Sequence, residues 1–260
     1  MRLQIAELYE EMKRLSIVEE ENGIVHLTIL GRACAESVLS FRSALRLVDL
    51  LKSRSNSFIT AVDLMAIAQA LPESDDLYTP MFKKGQSEAK WAREVSSRYS
   101  VEISQLLQRF VRGDAFTYYA RCKRASILHD WIKGDPTEAI EERCKSNNPF
   151  SGNITYGNIR TFADFTRFQL RSAYKIATII FPGQIIDDQE FDNLLRSLEV
   201  GIPTDCLDLL TLPFQMSREE YLALNRNGIR TKNQFYAKDK EDLLTLLEQV
   251  TVDAIFNEEK

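Results

Sequence analysis

What the chain lacks narrows it first. Its 260 residues contain only 10 glycines and 7 prolines. That is too little punctuation for many short strands and tight turns, so long helices are expected. The apolar runs are short and flanked by charge, as at 176–182, and none approaches the roughly 20 residues of a membrane span. The start, Met1-Arg2-Leu3-Gln4, passes straight into helical periodicity without the apolar stretch of a signal peptide. Cysteine is scarce and scattered, at Cys34, Cys122, Cys144 and Cys206, and histidine occurs only at His26 and His129. No Cys-x-x-Cys pair is present, so no zinc cluster is expected, and the four thiols are read as reduced in a cytoplasmic protein.

Catalytic signatures are missing too. An ATPase needs a glycine-rich phosphate cradle ending in Lys-Ser or Lys-Thr. Lys52-Ser53 and Lys145-Ser146 have no such glycines before them. No Gly-x-Ser-x-Gly elbow occurs. His129 and Asp130 are neighbours on a helical pattern, so their side chains diverge by about 100° and cannot share a site. Glu138, Glu141 and Glu142 read as a solvated acidic face. The sequence therefore assigns no catalytic residue, no metal and no cofactor.

What is present is ordinary globular stock, 44% hydrophobic and 27% charged, with a net charge of −5. A stand-alone nucleic-acid binder is usually basic overall. Mild acidity still leaves room for a local basic stripe, because salt confines each field to roughly 8–10 Å.

Periodicity lays out the chain. Leu3, Ile5, Leu8, Met12 and Leu15 fall mostly on one helical face. Two β-prone pieces then flank Asn22-Gly23, a strong hairpin signal. Helix plus hairpin is the back half of a winged helix, or else a small appendage capping the next domain. Further helices are expected from a turn at Thr28 to Leu51, over 57–71 with Thr60 as N-cap and Asp63 three residues on, and over 91–110, 115–132 and 136–144. Residues 72–86 and 147–152 read as loops. The longest helical pattern is 156–181, stopped by Pro182-Gly183. Another follows over 189–200, and Gly201-Ile202-Pro203 marks a boundary. Beyond it come short helical pieces at 204–210, 217–225 and 240–250, then an acidic tail from Asp253 expected to fray.

Three stretches resemble one family in order. Thr28-Ile29-Leu30-Gly31-Arg32-Ala33 is similar to the passage by which Ski-two-like superfamily 2 helicases leave their winged helix for the ratchet domain. Lys123-Arg124-Ala125-Ser126-Ile127-Leu128-His129-Asp130-Trp131-Ile132 resembles a helix of that bundle. Tyr156 to Phe162, continued through Tyr174-Lys175-Ile176-Ala177, resembles the ratchet helix of the archaeal DNA-repair members, and the Gly228 segment resembles their terminal helix-loop-helix. The resemblance implies a mainly α fold: a partial winged helix over 1–31, a ratchet-like helical bundle over 32–200 and a helix-hairpin-helix-like module over 201–260. The family's motor domains have no counterpart in these residues. The implied role is a non-catalytic module that binds and guides single-stranded DNA (or RNA), working with helicase motor domains in cis or in trans and without a membrane. The alternative is a protein-interaction scaffold derived from such a region.

In the family, the ratchet helix stacks an aromatic on a base. The resemblance places that role on Phe168 and a phosphate-contacting position on Thr161, beside Arg160. Spacing singles out the same helix independently. Arg160, Arg167, Arg171 and Lys175 lie 7, 4 and 4 residues apart, one broad stripe with Phe168 adjoining it. Such a stripe suits a sequence-tolerant single-strand platform; the plain alternative is a core phenylalanine beside a solvated basic face. A second cluster, Arg109, Arg112, Arg121, Lys123 and Arg124, either lines the same channel or is itself a solvated face. The turn 212–217 lacks the glycines by which helix-hairpin-helix binders reach a phosphate. That segment reads as a packing or partner-facing module, with Gly228 ending a helix.

Overall fold

A computed structural model describes residues 2–55, 58–81, 88–111, 113, 115–145, 153–183 and 186–258. The fold is mainly α, a helical bundle with one small antiparallel hairpin near its N-terminus. Helix α1 (Arg2–Arg14) leads to β1 (Val18–Glu21) and β2 (Ile24–Leu27), paired so that Val18 faces Leu27 and Glu21 faces Ile24. Asn22 and Gly23 both take positive φ, 53° and 77°. Two successive left-handed residues make the turn whose twist matches paired strands.

Thr28 then closes the hairpin and opens α2 (Ile29–Ala35). Its hydroxyl accepts from Gly31 N at 3.0 Å and donates to Ser16 O at 2.7 Å. Gly31 sits so close that an added Cβ would lie 2.0 Å from the Ile17 carbonyl oxygen. The expected single helix to Leu51 is broken. Ser37 donates to Cys34 O, and Ser40 caps a separate α3 (Phe41–Lys52) by accepting from Ser43 N. These serines offer the backbone local alternatives to the helical ladder.

The cap at Thr60 holds as expected. It forms a reciprocal pair with Asp63 at the start of α4 (Ala61–Ala68). The 72–86 stretch is not all loop, since Pro72 opens a short α5 (Pro72–Asp75). Residues 91–110 split into α6 (Ala89–Arg98) and α7 (Val101–Gln108), because Ser100 turns extended and caps Ile103 N. Then come α8 (Phe116–Lys133), α9 (Thr137–Cys144), α10 (Tyr156–Ile180) and α11 (Asp188–Val200). The expected loop at 147–152 lies outside the described residues.

Helix α8 runs through the centre. Ala120 to Leu128 is buried without interruption, and Trp131 Nε1 donates to Leu198 O at 2.9 Å. Helix α10 is fixed to the bundle by polar ties as well as apolar ones. Gln69 donates to Thr166 at 2.9 Å and Ser74 to Gln169 at 3.1 Å, all four buried. Satisfied buried networks of this kind fix a unique packing.

One apolar core extends from Leu15 to Leu198, so the hairpin's Ile17 and Val18 share it. A second runs from Ile202 to Ile255. It is built by a 3-10 stretch (Thr204–Thr211), α12 (Arg218–Arg226), α13 (Lys232–Tyr236), α14 (Lys240–Leu244) and α15 (Gln249–Glu258). The tail expected to fray is thus helical as far as Glu258, anchored by Val252 and Ile255, both fully buried. Arg218 clamps the two cores together. It stacks 4.1 Å from the Trp131 ring centroid and donates to Gly201 O and Asp135 O, both at 2.7 Å. No helix among the described residues is long and apolar enough to cross a membrane.

Candidate nucleic-acid interface

Helix α10 turns Ile159, Phe162, Ala163, Thr166, Leu170, Ala173 and Ile176 inward. A 3.6-residue period then sends Thr161, Asp164, Phe168, Arg171 and Lys175 outward, and all five are exposed. Phe168 is 61% exposed. That rules out the reading of it as a core residue. It lines a cleft of about 710 Å³ between α10 and α11, closed on one side by Val38 from the α2–α3 turn.

The basic stripe is on the surface, but most of it is occupied. Arg167 pairs with Glu199 at 2.6 Å and Lys175 with Glu36 at 2.8 Å. The Lys175 hydrogen bond and charge hold the Glu36 carboxyl below its usual range. Arg160 lies 3.6 Å from Asp164 and donates to the Glu199 main-chain carbonyl. Thr161 carries no charge and bonds back to Gly157 O at 2.8 Å. Arg171 alone of the stripe has no ion pair among the described residues.

Across the cleft, α11 supplies Arg196, also exposed and without an ion pair among the described residues. Its part in the cleft is not marked by any feature of its own sequence, since only the packing of α11 on α10 brings it into the same lining as Phe168. The lining holds three arginines (167, 171, 196) and three carboxylates (164, 192, 199), so its formal charge cancels. What remains open is an exposed ring in a cleft that also holds two guanidiniums without an ion pair among the described residues.

The second cluster is corrected. Arg121, Lys123 and Arg124 are each no more than 2% exposed. Arg121 grips Asp75 with two bonds, at 2.7 and 2.6 Å, and donates to Leu107 O and Arg109 O, both at 2.7 Å. Lys123 donates to Pro80 O at 2.6 Å. Arg124 reaches Thr79 at 2.8 Å and Gln69 O at 3.1 Å. Burial pushes the Lys123 ammonium below its usual range and the Arg124 guanidinium down to about 10. These three are braces between α8 and its neighbours, with no donor turned to a strand. Arg109 stays at the surface, paired with Asp49, and Arg112 lies outside the described residues.

His129 Nδ1 and Asp130 Oδ1 come within 3.9 Å, nearer than their adjacency on a helix suggests, but Asp130 is taken up by other partners. Asp130 binds Arg98 and Arg143, while the His129 ring stands edge-on to Tyr99 at 5.6 Å. Burial, aided by the charges of Arg98 and Lys133, pushes His129 down to about 4. No His, Cys, Asp and Glu cluster suited to a metal occurs among the described residues, and all four cysteines are free and buried. In the terminal module Gly228 (φ 75°) does end α12, with Ile229 N bonded to Leu224 O at 2.9 Å. Leu212 and Met216 of the glycine-free turn are buried, so that turn packs.

The chain matches no protein-family model, and no curated protein is significantly similar to it.

Proposed function

We propose that this chain is a non-catalytic module that binds and guides a single nucleic-acid strand, DNA in the first instance. The cleft beside Phe168 would take the strand, acting with a ratchet-type superfamily 2 helicase motor in the same polypeptide or a separate one. The observation that carries the reading is the exposed Phe168 ring in a cleft lined also by Arg171 and Arg196. An aromatic face takes any base, and guanidiniums take the phosphates on either side. The family resemblance over α2, α8 and α10 supports the same helix.

Fluorescence anisotropy with labelled oligothymidylate tests it. Micromolar binding at 50 mM salt is expected, weakening as salt rises. Phe168→Ala should lose about 1–3 kcal/mol, or roughly 5- to 150-fold in affinity. Absence of binding at low salt, where phosphate attraction is greatest, would sink the reading.

A second reading rests on the cancelled charge of the cleft. A helicase-derived scaffold that has lost its strand would capture a protein partner through its terminal module and would not need Phe168. It expects no oligonucleotide binding at any salt, and loss of partner capture on substitution along Ser217 to Tyr236.

A further inference from the structure

Away from the α10 cleft, one aromatic residue among those described is held in a conformation that its side chain disfavours. Phe110, just past α7, has φ +62°. Glycine enters this left-handed region freely and ends helices there, whereas a bulky residue does so under strain. Strained residues of this kind gather at functional sites. The Phe110 ring is also 43% exposed, so the strain does not serve core packing.

Two guanidiniums flank the ring. Arg46 lies 5.1 Å and Arg109 5.5 Å from its centroid. Both are oriented by carboxylates that they share with a further arginine. Asp49 binds Arg109 at 2.6 Å and Arg14 at 2.8 Å, and Asp75 binds Arg46 at 3.2 Å and Arg121 at 2.6 Å. Each carboxylate thus leaves one positive charge unmatched. Glu11 offsets Arg14 only at 4.0 Å, and Glu73 is engaged at the start of α3 by Ser40 and Ser43. Arg42, one helical turn before Arg46, is exposed and makes no ion pair among the described residues. Local positive excess in a chain of net charge −5 marks this face for an anion.

The α2–α3 turn links the first cleft to α3, which carries Arg42 and Arg46. Val38 lines that cleft and its N–H bonds Ser172 of α10 at 3.1 Å. Phe41, three residues on, is exposed, and Arg42 follows it.

We propose that Phe110, with Arg46 and Arg109 at its ring and Arg42 one helical turn from Arg46, is a second stacking station for the strand held at Phe168. It rests on the reading of that cleft as a single-strand site. A base would lie on the Phe110 ring, with a phosphate against Arg42. The strand would run from α10 past Val38 and along the outer face of α3.

The test compares two labelled oligothymidylates, one of about 5 nucleotides and one of about 20, enough for one station or both. Phe110→Gly relieves the backbone strain, so its melting temperature should hold or rise. Its affinity for the long oligonucleotide should fall about 5-fold or more, while the short one keeps its affinity. Arg42→Ala should lower the salt slope for the long oligonucleotide by about 0.7. Phe168→Ala should weaken both lengths. Phe110→Gly and Arg42→Ala variants that bind the long oligonucleotide like the parent, while Phe168→Ala fails, would overturn the second station and leave the first. Equal competition by inorganic polyphosphate against parent and Phe110→Gly would also overturn it, since charge alone would then account for the face. A parent chain that binds neither length removes the first station and the second with it.

Discussion

Arg121→Ala separates a structural arginine from a strand-contacting one. In the folded chain Arg121 is 1% exposed and makes four hydrogen bonds, two to Asp75 and one each to the Leu107 and Arg109 carbonyls. Truncation removes all four. Asp75 keeps Arg46 at 3.2 Å and gains nothing close from Arg124, which stands 3.9 Å away. Breaking a buried ion pair from one side costs about 3–5 kcal/mol. The two carbonyls add to this, at up to about 1–3 kcal/mol each where water cannot reach them. Partial exposure of Asp75, at 21%, pulls the sum back, and a net loss of about 4 kcal/mol follows. For a chain of this size that is a fall of roughly 8–16 °C in melting temperature. Urea melts followed by circular dichroism give the loss directly. Oligonucleotide binding, measured well below the variant's transition, should keep the parent's affinity and salt slope. A variant that melts like the parent but binds more weakly, with a shallower slope, would refute the internal role of Arg121.

Two further outcomes follow from individual contacts. Gly31→Ala puts a methyl carbon 2.0 Å from the Ile17 carbonyl oxygen, a backbone atom that cannot swing away. A loss of about 1–3 kcal/mol is expected in urea melts, with faster amide exchange across 18–27 as the hairpin loosens. His129 has its folded pKa pushed to about 4, below the ordinary histidine value near 6.5. Between those values the unfolded chain binds the extra proton, so stability falls as pH drops from about 6.5 to about 4 and is flat above. Partial exposure limits this to about 1–2 kcal/mol. His129→Gln should flatten that part of the stability profile relative to the parent; an unaltered profile would show that other groups set it.

Local chemistry made much of the fold legible. Asn22-Gly23 announced the hairpin, Thr60 with Asp63 announced a helix start, and Pro182-Gly183 bounded the long helix, because each signal acts within a few residues. The breaks at 36–40 and 99–100 were hidden, since serine caps a helix or sits inside one according to what packs around it. The acidic tail was hidden for the opposite reason. Its charges suggested fraying, but Val252 and Ile255 find a core that only the folded module supplies. Helix α8 shows the limit most clearly. Arg121, Lys123 and Arg124 look like surface charge because a sequence does not display the carbonyls of Leu107, Pro80 and Gln69 waiting for them. In α10 the stripe itself was readable and its occupants were not. Glu199 and Glu36 reach Arg167 and Lys175 across 32 and 139 positions of sequence.

That occupation bears on how strongly salt should weaken binding. A single strand loses about 0.7 in log–log slope for each phosphate neutralised. If every basic residue of the α10 stripe and Arg196 met a phosphate, five contacts would give a slope near −3.5. With Arg160, Arg167 and Lys175 kept by their carboxylates, Arg171 and Arg196 are the cleft arginines without an ion pair among the described residues. Adding Arg42 makes three, for a slope of roughly −2 on a long oligonucleotide. Exposed pairs are worth little, about 0–1 kcal/mol, so a phosphate can displace Glu36 or Glu199 if geometry allows. Glu199→Gln distinguishes the cases. Where the Arg167 pair persists in the complex, the variant frees Arg167 and steepens the slope by about 0.7. Where the strand already displaces Glu199, affinity rises while the slope stays at the parent's value, and the Arg167 pair is then a feature of the free chain alone.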